Sequence, residues 1–212
     1  MIKIIAHRGL WKKPDQKNSI SAIEAAFKEG FGIETDIRDL NCDLVISHDT
    51  PKVSQDNFFL EDLLDLQSSI STDLTLALNI KSDGLCESLK EKLKHRTKNY
   101  FVFDMSVPDT LSYLNNSVRF FTRQSEYEVF PPLYHDASGV WMDEFHSPWI
   151  TKEIIENHHQ SGKAVAIVSP ELHGRTFENE WEKYKLISNH NPKMNILLCT
   201  DYPLQARSYF EQ

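Results

Sequence analysis

Two carboxylates stand on alternate residues in Gly32-Ile33-Glu34-Thr35-Asp36-Ile37-Arg38, and a histidine closes a short apolar run on either side of them. Those runs are Ile4-Ile5-Ala6-His7 and Leu44-Val45-Ile46-Ser47-His48. Ile33, Thr35 and Ile37 alternate with Glu34, Asp36 and Arg38, which is the period of a strand. Alternate residues share a face, so Glu34 and Asp36 can reach one point, where carboxylate oxygens suit a hard cation such as Mg²⁺ or Ca²⁺. Zinc would favour more nitrogen or sulfur. Cleaving a phosphodiester needs one group to take a proton from the nucleophile and another to protonate the leaving alkoxide. Imidazoles titrating near about 6.5 suit both tasks. The plain alternatives are surface carboxylates on an exposed strand and hydrogen-bonded structural histidines. Together the residues read as a metal-assisted phosphodiesterase site.

The order of these motifs resembles a known family. His7-Arg8-Gly9, Asn18-Ser19, Glu34-x-Asp36, Asp43-Leu44-Val45 and His48-Asp49 resemble the opening of the glycerophosphodiester phosphodiesterases, roughly HRG, ENT, E-x-D and DG-x-L-V-x-HD. Thr200-Asp201-Tyr202-Pro203 resembles their closing T-D-x-P. The opening motifs span roughly the first quarter of the chain, and the remainder matches by element order. The resemblance implies that His7 and His48 are the acid/base pair, and that Glu34, Asp36 and the residue at Asn79 hold one divalent cation, Mg²⁺ or Ca²⁺. It also implies a small-molecule, glycerophosphodiester-like substrate. Other phosphate esters (a sugar-phosphate or polymer-linked diester) and a non-catalytic phosphate-binding barrel stand as alternatives.

The departures from the pattern are chemical. Asn79 occupies the place of an acid, and Lys17-Asn18-Ser19 replaces Glu-Asn-Thr. An amide oxygen can coordinate a hard cation but brings no charge. Either the site binds metal more weakly or another acid assists, and Asp143, Glu144 and Glu171 are candidates that otherwise read as structural. Arg8 offers a planar fork for phosphate oxygens and Lys81 a point charge, unless each forms a salt bridge to Glu34 or Asp49. Asn18 is expected to pin its loop. Asp49 either orients His48 or ends the strand before it.

The elements that must position these groups follow from periodicity. A short buried strand delivers His7, residues 10–17 form a polar loop, and Ser19 or Ser21 caps a helix through Ala22-Ile23-Ala25-Ala26-Phe27 that stops at Gly30. Strand, helix and the Glu34/Asp36 strand make a βαβ unit, hence parallel strands. Only residues 39–43 separate Arg38 from Leu44, too few for a parallel crossover, so Leu44–Ser47 folds back as a hairpin. Later apolar runs at 76–81, 100–104, 118–123, 139–143, 164–169 and 195–201 alternate with helical stretches at 60–66, 83–95, 107–114, 151–161 and 177–190. Without the hairpin strand this gives the eight parallel strands of a (β/α)₈ TIM barrel, with a small β-hairpin insertion after the second. Several strands end in a polar residue, among them His7, Asp36, Lys81, Asp104 and Asp143, as such active sites require. Residues 169–175 form either a substrate-shaping loop or a plain surface loop. Trp11, Tyr127, Trp141 and Trp149 line a pocket or fill core, and His158-His159 reads as a solvated helix end.

Composition bounds the rest. At 212 residues a single domain is expected. The net charge of −8 and a pI near 5.6 argue against nucleic acid and anionic lipid as partners. No apolar run approaches a membrane span. Met-Ile-Lys-Ile-Ile-Ala-His runs straight into a motif, which reads against a removable signal peptide. The three widely spaced cysteines suggest a reducing, cytoplasmic setting. The oligomeric state is not encoded in any pattern.

Overall fold

The computed structural model describes residues 2–54 and 56–211. The chain forms two compact units, one of Ala6–Phe120 and one of Met1–Ile5 with Phe121–Gln212. Strand β1 (Lys3–His7) contributes to both.

In the first unit β1 is followed by α1 (Ile20–Lys28), β2 (Gly32–Leu40), β3 (Asp43–Ile46), α2 (Leu60–Ile70), β4 (Leu76–Ile80), α3 (Cys86–Leu93), β5 (Tyr100–Phe103) and α4 (Val107–Asn115). Ser19 Oγ caps α1 by accepting from Ala22 N at 3.2 Å. Ala22, Ile23, Ala26 and Phe27 form its buried stripe, and Gly30, at φ +81°, ends it. Residues 32–37 of β2 are buried throughout, as befits a parallel strand covered on both faces. β2 pairs with β4 in parallel, with Asp36 opposite Asn79. Antiparallel β3 closes on β2 through Leu40 opposite Asp43. The two residues between, Asn41 and Cys42, both have positive φ, which a twist-matched two-residue hairpin turn demands. Val102 bridges in parallel to Phe120 at the unit's end.

The second unit contains β6 (Phe121–Ser125), β7 (Gly139–Asp143), α5 (Lys152–Gln160), β8 (Ala164–Val168), α6 (Glu178–His190), β9 (Ile196–Thr200) and α7 (Pro203–Phe210). Its core packs Val140, Met142, Val165, Ile167 and Leu198 against Trp181 and Tyr184. The Trp181 indole donates to Ser169 Oγ at 2.8 Å, so its one polar atom is satisfied in the core.

The parallel strands follow the order β5-β4-β2-β1-β9-β8-β7-β6, with β3 attached to β2 off that path. Eight parallel strands with helices between them are the (β/α)₈ arrangement expected, hairpin included. Details differ. The described residues between β6 and β7 form no helix, the strand expected at 118–123 is centred later, and α7 was not foreseen.

His158 is a correction. It is buried rather than solvated, accepting from Tyr134 OH and donating to Gln124 Oε1, each at 2.8 Å, and burial lowers its pKa. The candidate assisting acids are all engaged within the second unit. Glu144 accepts from Trp149 N at 2.8 Å and Ile150 N at 2.7 Å, Glu171 bonds Ser169 and Thr200, and Asp143 holds His173 Nε2 at 2.5 Å. Residues 169–175 are therefore a fastening: the turn Pro170–His173 ties Glu171 to β9 and His173 to β7.

The Asp143 carboxylate raises the His173 pKa above the ordinary imidazole value of 6.5. That stabilisation is complete below the ordinary value and is lost as pH rises through the folded one. Asp143→Asn should therefore lower Tm by a few degrees at pH 6 and by clearly less at pH 9. Thermal melts at the two pH values check this; an equal loss at both would mean that the pair is not charged.

Candidate active site

Glu34, Asp36, Asn79 and Lys81 share one face because β2 and β4 run parallel in register and side chains alternate. His7 and Arg8 arrive at the end of β1, where Arg8 N donates to Glu34 O at 2.9 Å. Beyond it the backbone is forced. Arg8 (φ +57°), Gly9 (φ +92°) and Asn18 (φ +60°) all lie in the left-handed region. Gly9 presses against α1 so closely that a Cβ would lie 2.6 Å from the carbonyl carbon of Ala22. Only glycine fits both the angle and the approach.

Asp36, with 0% exposure, is the centre of the cluster. Arg8 Nε lies 2.8 Å from its Oδ2, Lys81 Nζ lies 3.3 Å from its Oδ1, and Asn18 Nδ2 donates to Oδ2 at 2.8 Å. The Asn18 carbonyl oxygen accepts from Thr35 Oγ1 at 2.8 Å, so this side chain pins its loop to two consecutive residues of β2. The partner of Arg8 and Lys81 is thus Asp36, rather than Glu34 or Asp49. Lys17, where an acid was expected, sits 4.5 Å over the Trp11 ring, whose indole donates to His7 O.

Glu34 is 2% exposed, hydrogen-bonded to the Asn79 amide and 3.8 Å from His7 Nε2 through its Oε2. Burial, and then the neighbouring Asp36, push its pKa up to about 8. With ionisation of Glu34 disfavoured, Arg8 and Lys81 set two cations around Asp36. Two buried oxygens in the cluster, Glu34 Oε2 and Asn79 Oδ1, accept no hydrogen bond, and Asp36 Oδ1 meets only the Lys81 ammonium at 3.3 Å. Buried acceptors are seldom left so. A hard divalent cation takes this kind of donor, so the residues present fit one. Among the described residues no group of three or more His, Cys, Asp or Glu side chains is placed to hold a metal ion.

His48 follows a hairpin end that is tied to the cluster by its backbone. Ser47 N donates to Asp36 O at 3.0 Å, which fixes the hairpin end, and Arg38 Nε donates to His48 O at 2.9 Å. The imidazole itself is half exposed, its Nδ1 2.8 Å from Asp49 Oδ1. Asp49 therefore orients His48 and leaves Nε2 for other work. Thr35, the second anchor of Asn18, is a residue the sequence reading missed; a strand threonine carries no signal of such a role.

No family model matches the chain, and no curated protein matches it. Solved structures do. A glycerophosphoryl diester phosphodiesterase from Parabacteroides distasonis superposes with a TM-score of 0.68 at 16% identity, covering 100% of this chain and 86% of that one. The glycerophosphoryl diester phosphodiesterase domain of an uncharacterized protein from Mycobacterium tuberculosis gives a TM-score of 0.68 at 15% identity, covering 98% of each chain. At such identity the likeness establishes the fold: this chain is built on the same (β/α)₈ fold as those two proteins.

The forced turn carries a stability prediction. Gly9→Ala should cost about 1–3 kcal/mol from backbone strain alone, with the clash against Ala22 added. Thermal denaturation should show Tm several degrees lower, whereas an unchanged Tm would mean that the loop relaxes freely away from α1.

Proposed function

We propose that this protein hydrolyses a phosphodiester, glycerophosphodiester-like in its phosphate half, to an alcohol and a phosphomonoester. The observation that carries the reading is the pair of buried oxygens without a hydrogen bond, Glu34 Oε2 and Asn79 Oδ1, beside Asp36, Arg8, Lys81 and His7. Glu34, Asp36 and Asn79 hold one divalent cation, Mg²⁺ or Ca²⁺. When bound, the cation polarises the phosphoryl oxygens and neutralises charge developing on them. Arg8 and Lys81 bind the remaining phosphate oxygens, Asp36 keeping both in place.

His7 and His48 move the protons: one imidazole accepts the proton of the attacking hydroxyl, the other donates to the leaving alkoxide oxygen. Asp49 holds His48 in one orientation for this. Where the substrate carries a hydroxyl beside the phosphate, that oxygen attacks phosphorus and the alcohol leaves, giving a cyclic phosphate. Water then opens the ring, and the histidines exchange roles.

The Asn79 amide favours a second reading, a barrel that binds phosphate ligands without turning them over. One assay separates the two. A panel of diesters followed by ³¹P NMR, with Mg²⁺, with Ca²⁺ and after chelation, should show metal-dependent release of a phosphomonoester. His7→Ala and His48→Ala should each lower kcat about 10²–10⁴-fold with the fold intact. Full activity after rigorous chelation contradicts the metal role, and near-normal turnover in either variant removes that histidine. Binding of glycerol phosphate with no turnover of any diester selects the non-catalytic reading.

A further inference from the structure

Because the described residues between β6 and β7 form no helix, the face of β6 that a helix would cover meets the connecting loop instead. Thr122 and Gln124 stand on that face, where Gln124 Oε1 also bonds His158 of α5. Thr122 Oγ1 donates to Pro132 O at 2.7 Å, and Gln124 Nε2 donates to Val129 O at 3.1 Å. The loop therefore lays its backbone against the strand and leaves the side chains of Val129 and Phe130 outside.

Phe130 is 91% exposed, about as open as in an unfolded chain, with Tyr127 at 72% and Val129 at 57% beside it. A slack loop could fold a phenyl ring back onto the protein, but this one is fastened on both sides of the tip. Before it, Ser125 and Glu128 exchange backbone hydrogen bonds. The Tyr127 hydroxyl bonds His146 Nε2 at 2.5 Å, and its ring lies 5.8 Å from that of Phe145. After the tip, Leu133 O accepts from Asp136 N and Ala137 N, each at 3.1 Å. The charges nearby are engaged by the protein itself. Glu126 accepts from the backbone N–H groups of Phe145, His146 and Ser147, and Glu128 pairs with Arg123. Residues 129–134 include no charged side chain.

The size and charge of this tip select what covers it. Its three side chains present roughly 400 Å², at 150–250 Å² for each aromatic, about half of one partner's share of a standard protein interface. A protruding, uncharged tip suits a medium that closes around it, and aromatic side chains favour the boundary of lipid and water. An anionic surface would call for cations beside the tip. Arg123 and Lys163 are instead engaged by Glu128 and by the carbonyls of His135 and Ala137, and the chain carries a net charge of −8. We infer that the β6–β7 loop docks this protein on a neutral, zwitterionic lipid surface, with Phe130 and Val129 entering the boundary of headgroups and acyl chains and Tyr127 at its edge. No described helix is long and apolar enough to cross a membrane, so the contact is peripheral. Docking of this kind is independent of the phosphodiesterase reading.

Flotation of the full chain with lipid vesicles tests this. Wild type, Phe130→Ser and Phe130→Trp are each mixed with vesicles of phosphatidylcholine alone or of phosphatidylcholine with phosphatidylglycerol. Wild type should float with the neutral vesicles and no better with the anionic ones. Phe130→Ser should lower the partition coefficient about tenfold or more, the effect of one phenyl ring left out of the lipid, with the melting temperature unchanged. Phe130→Trp should bind as wild type does, and brominated acyl chains should quench its emission beyond the background of the four native tryptophans. No flotation of the wild type with neutral vesicles, flotation that survives Phe130→Ser, or stronger binding to the anionic vesicles overturns the inference. So does a lipid-free dimer that Phe130→Ser dissociates in sedimentation velocity, because a second copy of the chain would then cover the tip.

Discussion

A carboxylate sealed from water must be compensated where it stands, and the arrangement around Asp36 follows from that requirement. An uncompensated buried charge costs several kcal/mol. Asp36 draws in Arg8 from the end of β1, Lys81 from beyond β4 and Asn18 from the loop before α1. Each comes from a different part of the unit, so the ion-pair cluster also fixes strand register and loop path. Arg8 and Asn18 accept left-handed backbone angles to reach it, and Gly9 accepts contact with α1. The polar cluster sets the geometry, and the local backbone conforms.

That same cluster is unfinished. Asn18 donates to one oxygen of Asp36 and the Lys81 ammonium faces the other at 3.3 Å, whereas Glu34 Oε2 and Asn79 Oδ1 accept no hydrogen bond. Burial and Asp36 make Glu34 hard to ionise, and the positive charges of Arg8 and Lys81 only partly offset this. A dication would relieve both conditions, supplying the missing partner for Glu34 Oε2 and Asn79 Oδ1 and the charge that lets Glu34 ionise. On the proposed reading, folding stability and cation binding draw on the same residues.

Much of this was legible in the sequence. The period-two alternation of β2 identified Glu34 and Asp36 as one face, and the short gap between Arg38 and Leu44 left no option but a hairpin, which Asn41 and Cys42 turn. Cross-strand partners were not legible, because spacing along the chain says nothing of which charge another strand presents. Hence Asp36, not Glu34 or Asp49, as the partner of Arg8 and Lys81. His158 was misread for a related reason: its polar partners, Gln124 and Tyr134, lie far along the chain, so an apparently solvated helix end is buried. α7 went unseen because Pro203 was read as part of a motif, when it also opens a helix at its first turn. The place of Asp143, Glu144 and Glu171 as fasteners likewise required coordinates.

The central claim, that Glu34, Asp36 and Asn79 jointly form a cation site, is tested most directly by metal binding without substrate. Calorimetric titration of Mg²⁺ and Ca²⁺ into the wild-type chain and into Asn79→Asp compares two donor sets that differ by one charge. A third carboxylate at close range in a wet pocket adds roughly 1–3 kcal/mol. The account therefore predicts one site per chain and affinity about tenfold or more tighter in the variant. Equal affinity in both proteins would place Asn79 outside the coordination shell and contradict it.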